Sequence, residues 1–223
     1  MFSGLVESLQ KIEKISLGQE SLSLFISRPP EFTDLKIGDS IAVDGICLTL
    51  EEMTSSHMKF TLGAETLKIL SGSLDLDLSR IEKKLSQKPV NLERSLKWGD
   101  RIHGHLVSGH IEALGTVIKA QAAGDSWIIE IKCPQVLGAF IVNKGSIALQ
   151  GVSLTVNSFE NSVLQVCLIP ETLKKTNLGF FKVSDQVHIE TDLSLKSLLK
   201  TLENQDLIKK ISEQIQLNCK GLL

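Results

Sequence analysis

Short runs in which apolar and polar residues alternate fill most of this chain, and glycine or asparagine interrupts them at frequent intervals. In the first half the runs read "GLVESLQKIEKISL", "ESLSLFIS", "SIAVDGICLTLEEM" and "HMKFTLG"; in the second, "EALGTVIKA", "SWIIEIKC", "SIALQGVSLTVNSF" and "VLQVCLI". A period of two puts the apolar side chains on one face of a strand and the polar ones on the other, which predicts half-buried β-strands. Strands this short, joined by tight turns, are expected to pair antiparallel and close into small barrels. The expected fold class is all-β: two tandem homologous six-stranded Greek-key barrels plus a C-terminal α-helix. The helix follows from a change of period, since Leu195, Leu198, Leu199, Leu202, Leu207, Ile208, Ile211 and Ile215 recur at helical spacing with Lys, Glu and Gln between them. That stripe has two candidate partners, its own barrel or other copies of the chain.

The tandem arrangement rests on an internal echo. "DSIAVDGICLTL" at 39–50 returns as "GSIALQGVSLTV" at 145–156, "FSGLVE" at 2–7 as "VSGHIE" at 107–112, "AETLKIL" at 64–70 as "PETLKKT" at 170–176, and "VNLE" at 90–93 as "VHIE" at 187–190. The blocks keep their order, so a structural unit is duplicated. The expected boundaries are 1–97 for the first barrel, 98–196 for the second and 197–223 for the helix. Only the first copy carries the longer charged stretch "SGSLDLDLSRIEKKLSQKP" before its last block, readable as a surface loop or a short helix.

Composition narrows the function classes. The 223 residues carry a formal net charge of -2, with no run of like charges, which argues against nucleic-acid binding. No apolar run approaches the roughly 18 residues that span a bilayer, and "MFSGLVESLQ" lacks the pattern of a secretory leader, so a soluble cytoplasmic chain is expected. Cys47, Cys133, Cys167 and Cys219 lie far apart and without a C-x-x-C pair, which reads as reduced thiols rather than a disulfide framework or a zinc site.

Several residues could carry chemistry. "GHLVSGH" has the glycine spacing of a phosphate loop but lacks its Lys-Ser/Thr. His103, His105 and His110 have no carboxylate or thiolate at ligand spacing, so no metal is expected. His110 is either a hydrogen-bonded turn histidine or an acid/base group, because "SGH" loses its histidine in the first copy, "SGL". Cys47 and Ser153 occupy equivalent positions, with Thr49 and Thr155 two residues on and facing the same way. They are either small polar residues satisfied by the backbone or parts of two like-shaped pockets with unequal chemistry.

The motifs Met1-Phe2-Ser3-Gly4, "DGICLT", "GHLVSGHIE", "KGSIALQGVSLT", "IPETLKKTNLG" and "VHIETD", in this order, resemble those of the riboflavin synthase family of duplicated lumazine-binding barrels. The resemblance implies a dismutation: two molecules of 6,7-dimethyl-8-ribityllumazine exchange a four-carbon unit and give riboflavin and 5-amino-6-ribitylaminouracil, with no cofactor and no metal. It also implies a homotrimer, held by the C-terminal helix, with the active site between subunits, and lumazine synthase as a candidate partner. By motif, Gly4, Leu5, Val6, Cys47, Leu48, Thr49, Thr61, Leu62, Gly63, Ala64, Glu65 and Thr66 are expected to line the N-terminal pocket. Gly109, His110, Ile111, Lys144, Ser153, Leu154, Thr155, Cys167, Leu168, Ile169, Pro170, Glu171 and Thr172 are expected to line the C-terminal one. His110 would assist proton transfer at the C7 methyl, Ser153 and Thr155 would position that ring, and Cys47, Ser40 and Thr49 would hold the other. Phe2, Lys144 and Asp192 would support. Gln150 stands where the family usually has Asp, Asp44 where its first copy commonly has Asn, and the 71–89 stretch is longer than usual. A non-catalytic lumazine-binding protein is the main rival; a flavin-binding oxidoreductase barrel would need a nucleotide-binding domain, for which the tail is too short.

Overall fold

The structure is a computed structural model that describes residues 1–72, 77–86, 89–203 and 209. The second half forms the expected closed barrel from β9 (Ala113–Ala123), β10 (Ser126–Lys132), β11 (Ser146–Leu149), β12 (Val152–Glu160), β13 (Val163–Leu168) and β14 (Gln186–Thr191), every neighbouring pair antiparallel in the circuit β10-β13-β12-β11-β14-β9.

The first half follows the same circuit with two strands broken. Its strands are β1 (Ser8–Gln10), β2 (Ile12–Leu17), β3 (Leu22–Ser27), β4 (Ser40–Val43), β5 (Ile46–Thr49), β6 (Glu52–Met53), β7 (His57–Leu62) and β8 (Val90–Arg94), arranged as two four-stranded sheets, β1-β8-β4-β5 and β2-β3-β7-β6. Where β5 stops and β6 begins, β12 runs on through a register shift between Val156 and Ser158. The other corner is a bulge in both halves: the pairing skips Glu13 between Ile12 and Lys14, and Ile118 between Val117 and Lys119. Small barrels need such bends to close, and a bulge or a break each supplies one.

Alternation fills the cores as the pattern predicts. Leu22, Leu24, Ile26, Met58, Phe60 and Leu62 point into the first barrel, and Ile129, Ile131, Leu164, Val166 and Leu168 into the second. Phe2, fully buried, joins Ala42, Val107 and Ala148 in a small cluster between them.

On the seam the turns Asp44-Gly45 and Gln150-Gly151 lie back to back, all four residues at positive φ. Two-residue hairpin loops of this kind take positive φ at both positions. A Cβ on Gly45 would stand 2.6 Å from the Gly151 nitrogen, and one on Gly151 would stand 2.7 Å from the Gly45 nitrogen.

Helices fill the remainder. α1 (Ala64–Ser71) and α3 (Pro170–Lys175) occupy matching places in the repeat. Within the charged insertion of the first copy lies α2 (Leu78–Leu85), capped by the Asp77 carboxylate, which accepts from the Arg80 backbone nitrogen at 3.0 Å. Residues 73–76 and 87–88 of that stretch fall outside the described residues. α4 (Leu193–Glu203) starts directly after β14, ahead of the expected 197, because Asp192 caps it by accepting from the Ser194 nitrogen at 2.8 Å. Leu198 and Leu202 on α4 are exposed. The Leu207, Ile208, Ile211 and Ile215 part of the stripe lies outside the described residues.

Candidate active site

Each half opens with a Ser-Gly turn held by a buried glutamate from its last strand. Glu93 accepts from the Ser3 nitrogen at 2.7 Å, the Ser3 hydroxyl at 2.8 Å and the Gly4 nitrogen at 3.1 Å. Glu190 accepts from the same three groups of Ser108 and Gly109, at 2.6, 2.7 and 3.0 Å. Burial holds both carboxyls above their ordinary range, and these donors offset only part of that rise.

The turns dock crosswise. The Gly4 carbonyl accepts from the Ser153 nitrogen at 2.8 Å, and the Gly109 carbonyl from the Cys47 nitrogen at 2.7 Å. Val6 packs against the second core, and Ile111 against the first. The pocket grouping expected from sequence is therefore exchanged: Gly4 and Val6 go with Ser153 of the second barrel, and Gly109 and Ile111 with Cys47 of the first. Sequence alignment identified equivalent positions, and equivalence in a repeat is not adjacency in space. The contact is close enough to demand glycine. Gly4 and Gly109 have positive φ, and a Cβ on either would stand 2.6 Å from the Cβ of Ser153 or Cys47.

In register, Cys47 pairs with Ala42 and Ser153 with Ala148, while Thr49 pairs with Ser40 and Thr155 with Ser146. Ile46 and Leu48, or Val152 and Leu154, face the cores, so Cys47, Thr49, Ser153 and Thr155 line the outer surfaces of the barrels. Leu48, Leu62, Leu154 and Leu168 are core side chains and can offer a ligand only their backbones.

Gly63, Ala64 and Glu65 are exposed at the start of α1, and Ile169, Pro170 and Glu171 at the start of α3; Thr66, Cys167 and Thr172 are half-buried. The Thr61 hydroxyl donates to Glu51 at 2.9 Å. Lys144 is exposed at a left-handed turn. Leu5 and Ser40 line a cleft of about 850 Å³ with Ser3, Arg94, Lys97 and His103.

Two imidazoles flank the outer faces. His110 is exposed and follows directly on the glycine docked at Cys47. His105, which sequence reasoning weighed only as a metal ligand, has Nδ1 2.7 Å from the Ser153 hydroxyl. Its Nε2 is buried with no hydrogen-bond partner among the described residues. Burial lowers the His105 pKa against the opposing charge of Asp192, which favours the neutral ring. The signal that could have found it is Gly104: a Cβ there would stand 2.1 Å from the Ser3 carbonyl and 2.8 Å from the Ser153 hydroxyl. Among the described residues no group of three His, Cys, Asp or Glu side chains could hold a metal ion.

Gln150 is not at this site. Its Oε1 accepts from the His188 nitrogen at 2.7 Å on the seam, as the Asp44 Oδ1 accepts from the Asn91 nitrogen at 2.8 Å in the other half. Both side chains accept from a backbone nitrogen of the last strand of their own repeat, which an amide does as well as a carboxylate.

The sequence of this duplicated barrel matches the lumazine binding domain twice, over 3–95 and 108–192, which makes it a tandem protein of that domain family. The chain is 34% identical to a riboflavin synthase of Actinobacillus pleuropneumoniae over 98% of its own length and 95% of the relative's. It is 36% identical to a riboflavin synthase of Chlamydia pneumoniae over 91% and 96%. The chain belongs to the riboflavin synthase family. Its fold is also that of LumP solved with 6,7-dimethyl-8-(1'-D-ribityl) lumazine and with riboflavin, at TM-scores of 0.71 and 0.73 over 86% of this chain and 99% of those, with 21% and 23% identity. No helix among the described residues is long and apolar enough to cross a membrane.

Proposed function

We propose that the chain catalyses the dismutation of two 6,7-dimethyl-8-ribityllumazine molecules to riboflavin and 5-amino-6-ribitylaminouracil, a transferase reaction in which the substrate is both donor and acceptor of the four-carbon unit. The observation that carries this reading is the retention of a full half-site in each repeat: Cys47 and Thr49 beneath Gly109-His110, and Ser153 and Thr155 beneath Gly4-Leu5. A protein that only holds one chromophore needs one of them.

The two half-sites carry different chemistry. At Ser153, neutral His105 is the base that draws a proton from the C7 methyl of one lumazine through the hydroxyl it touches. The resulting carbanion is delocalised into the ring, so no redox group is needed. On this reading His105 takes the role expected of His110, and His110, next to the glycine docked at Cys47, is assigned to the other half-site. There Cys47, Thr49 and Ser40 hold the second lumazine, whose C7 is attacked by a nucleophile, and His110 assists the proton transfers. Asp192 holds its charge near His105.

Face-to-face rings turn a bimolecular encounter into a local step. Each half-site lies on the outer face of its barrel, so a neighbouring copy that brings the first half-site against the second would supply that arrangement. Exposed Leu5, Trp98, Ile102 and Leu106, together with Leu198 and Leu202 of α4, support association into a homotrimer. The same reading places the protein in the cytoplasm, with lumazine synthase as a candidate partner that would hand over the substrate.

The test is to give purified protein 6,7-dimethyl-8-ribityllumazine without any addition and follow both products. Riboflavin and the aminouracil should appear in equal amounts. A tightly held fluorophore without turnover would instead establish a binding protein.

A further inference from the structure

Helix α2, part of the insertion that the first repeat has and the second lacks, walls a cavity. Leu78, Ile81 and Leu85 of α2 pack on the first core, which leaves Arg80 and Lys84, one helical turn apart, over a space of about 400 Å³ on the seam between the barrels. The corresponding interval of the second repeat holds only the short 3-10 turn Asn177–Phe180. The far wall is second-barrel surface, including Leu114, Thr116, Phe181, Gln186 and His188.

His188 is buried, and its Nδ1 lies 2.8 Å from the Asp44 carbonyl oxygen. A carbonyl only accepts, so Nδ1 carries the hydrogen and Nε2 is left as an acceptor. Nε2 has no hydrogen-bond partner among the described residues. Burial first, and then the charge of Lys84, depress the His188 pKa to about 4, so the ring stays neutral. Two acids share the lining and are turned to amide donors: Asp44 accepts from the Asn91 nitrogen and from Asn177, and Asp185 from the Lys182 nitrogen. Lys84 donates to Gln186. Two cations at one wall and a bare acceptor at another match an oxyanion that still carries a hydroxyl. The volume sits near the lower end of small-molecule sites and exceeds the need of a single ion.

We propose that this seam cavity is a binding site for a small phosphomonoester, its phosphate held by Arg80 and Lys84 and a hydroxyl donated to His188 Nε2. The site shares no residue with the half-sites at Cys47 and Ser153, so its failure leaves the catalytic reading untouched.

Calorimetric titration of the purified protein in chloride buffer with glycerol 3-phosphate, inorganic phosphate and sulfate tests it. Glycerol 3-phosphate should bind saturably and more tightly than inorganic phosphate. Sulfate, which has no hydroxyl at neutral pH, should bind weakest. The double substitution Arg80→Gln with Lys84→Gln should weaken glycerol 3-phosphate binding by about tenfold or more, while Lys83→Gln on the same helix should not. Should the double variant misfold, the unaltered protein still decides: the His188 Nε2 nitrogen resonance should move on adding glycerol 3-phosphate. No saturable binding by about 10 mM, equal binding by the double variant, tighter binding of inorganic phosphate, sulfate as tight as glycerol 3-phosphate, or an unmoved Nε2 resonance would each overturn the proposal.

Discussion

Phe2 is hydrogen-bonded in both directions to Val107, the residue that holds its own position in the second repeat: the Phe2 nitrogen donates to the Val107 carbonyl at 2.8 Å, and the Val107 nitrogen to the Phe2 carbonyl at 3.0 Å. The two repeats thus meet through like segments, related by an approximate two-fold. The exchange of the Ser-Gly turns follows from that meeting, because each turn leaves this bridge toward the other barrel.

Gly109→Ala should therefore injure both fold and catalysis. It combines a positive φ with backbone and side-chain contacts under 3.0 Å at Cys47, whereas Gly99→Ala has a positive φ but open space around it. Thermal unfolding should show a loss of about 1 kcal/mol for Gly99→Ala and clearly more for Gly109→Ala, and only the latter should lower turnover.

Removing the contact between Ser153 and His105 should slow chemistry without emptying the site. His105→Gln is expected to reduce turnover by about 100-fold or more while lumazine binding, followed by fluorescence, changes little. Because the His105 pKa is lowered, activity in the unaltered protein should persist as pH falls through the usual imidazole range and decline only below that range. His110→Ala should also cost turnover; full activity in that variant would leave His110 a turn residue.

Glu93→Gln and Glu190→Gln should have matching effects. Each carboxylate accepts from two backbone nitrogens and one hydroxyl, and an amide would turn a donor toward one of them. A loss on the order of 2 kcal/mol is expected for each, read as a drop in the unfolding midpoint.

His188 gives the fold an acid limit. Its folded pKa, about 4, lies below the ordinary imidazole value of 6.5, so its contribution is complete above pH 6.5 and is lost as pH falls through the folded pKa. The loss should be on the order of 3 kcal/mol. Asn91, its repeat counterpart, donates from Nδ2 to the Gln150 carbonyl at 2.9 Å much as His188 donates to the Asp44 carbonyl. His188→Asn should accordingly flatten the decline in stability between pH 6.5 and 4, and an unchanged slope would assign that decline to other groups.

Much of the fold is legible in the chain because period-two alternation and the 106-residue echo are local or self-referential signals. They locate β4-β5 and β11-β12 with Cys47 and Ser153 on equivalent faces. The crosswise docking has no such signature: Val6 and Ile111 are apolar residues in matching places, and nothing in either says which barrel it enters. His105 was one histidine among three until the fold set it on Ser153. Gln150 is legible only as a departure from the family's Asp, because motif alignment cannot tell a residue of the pocket from one at a turn behind it. The helical stripe was readable, but its start depends on a cap by Asp192, a residue that the repeat pattern assigns to the preceding barrel.

The back-to-back contact of Gly45 with Gly151 sets unequal tolerances across the molecule. At that junction neither hairpin can gain even a methyl group without prising the repeats apart, whereas two positions further along the same hairpins a thiol and a hydroxyl are interchangeable in space. Redesign of this scaffold for another pair of ring-shaped molecules thus has freedom on the outer strand faces and almost none at the axis, where one added carbon would disturb both halves together.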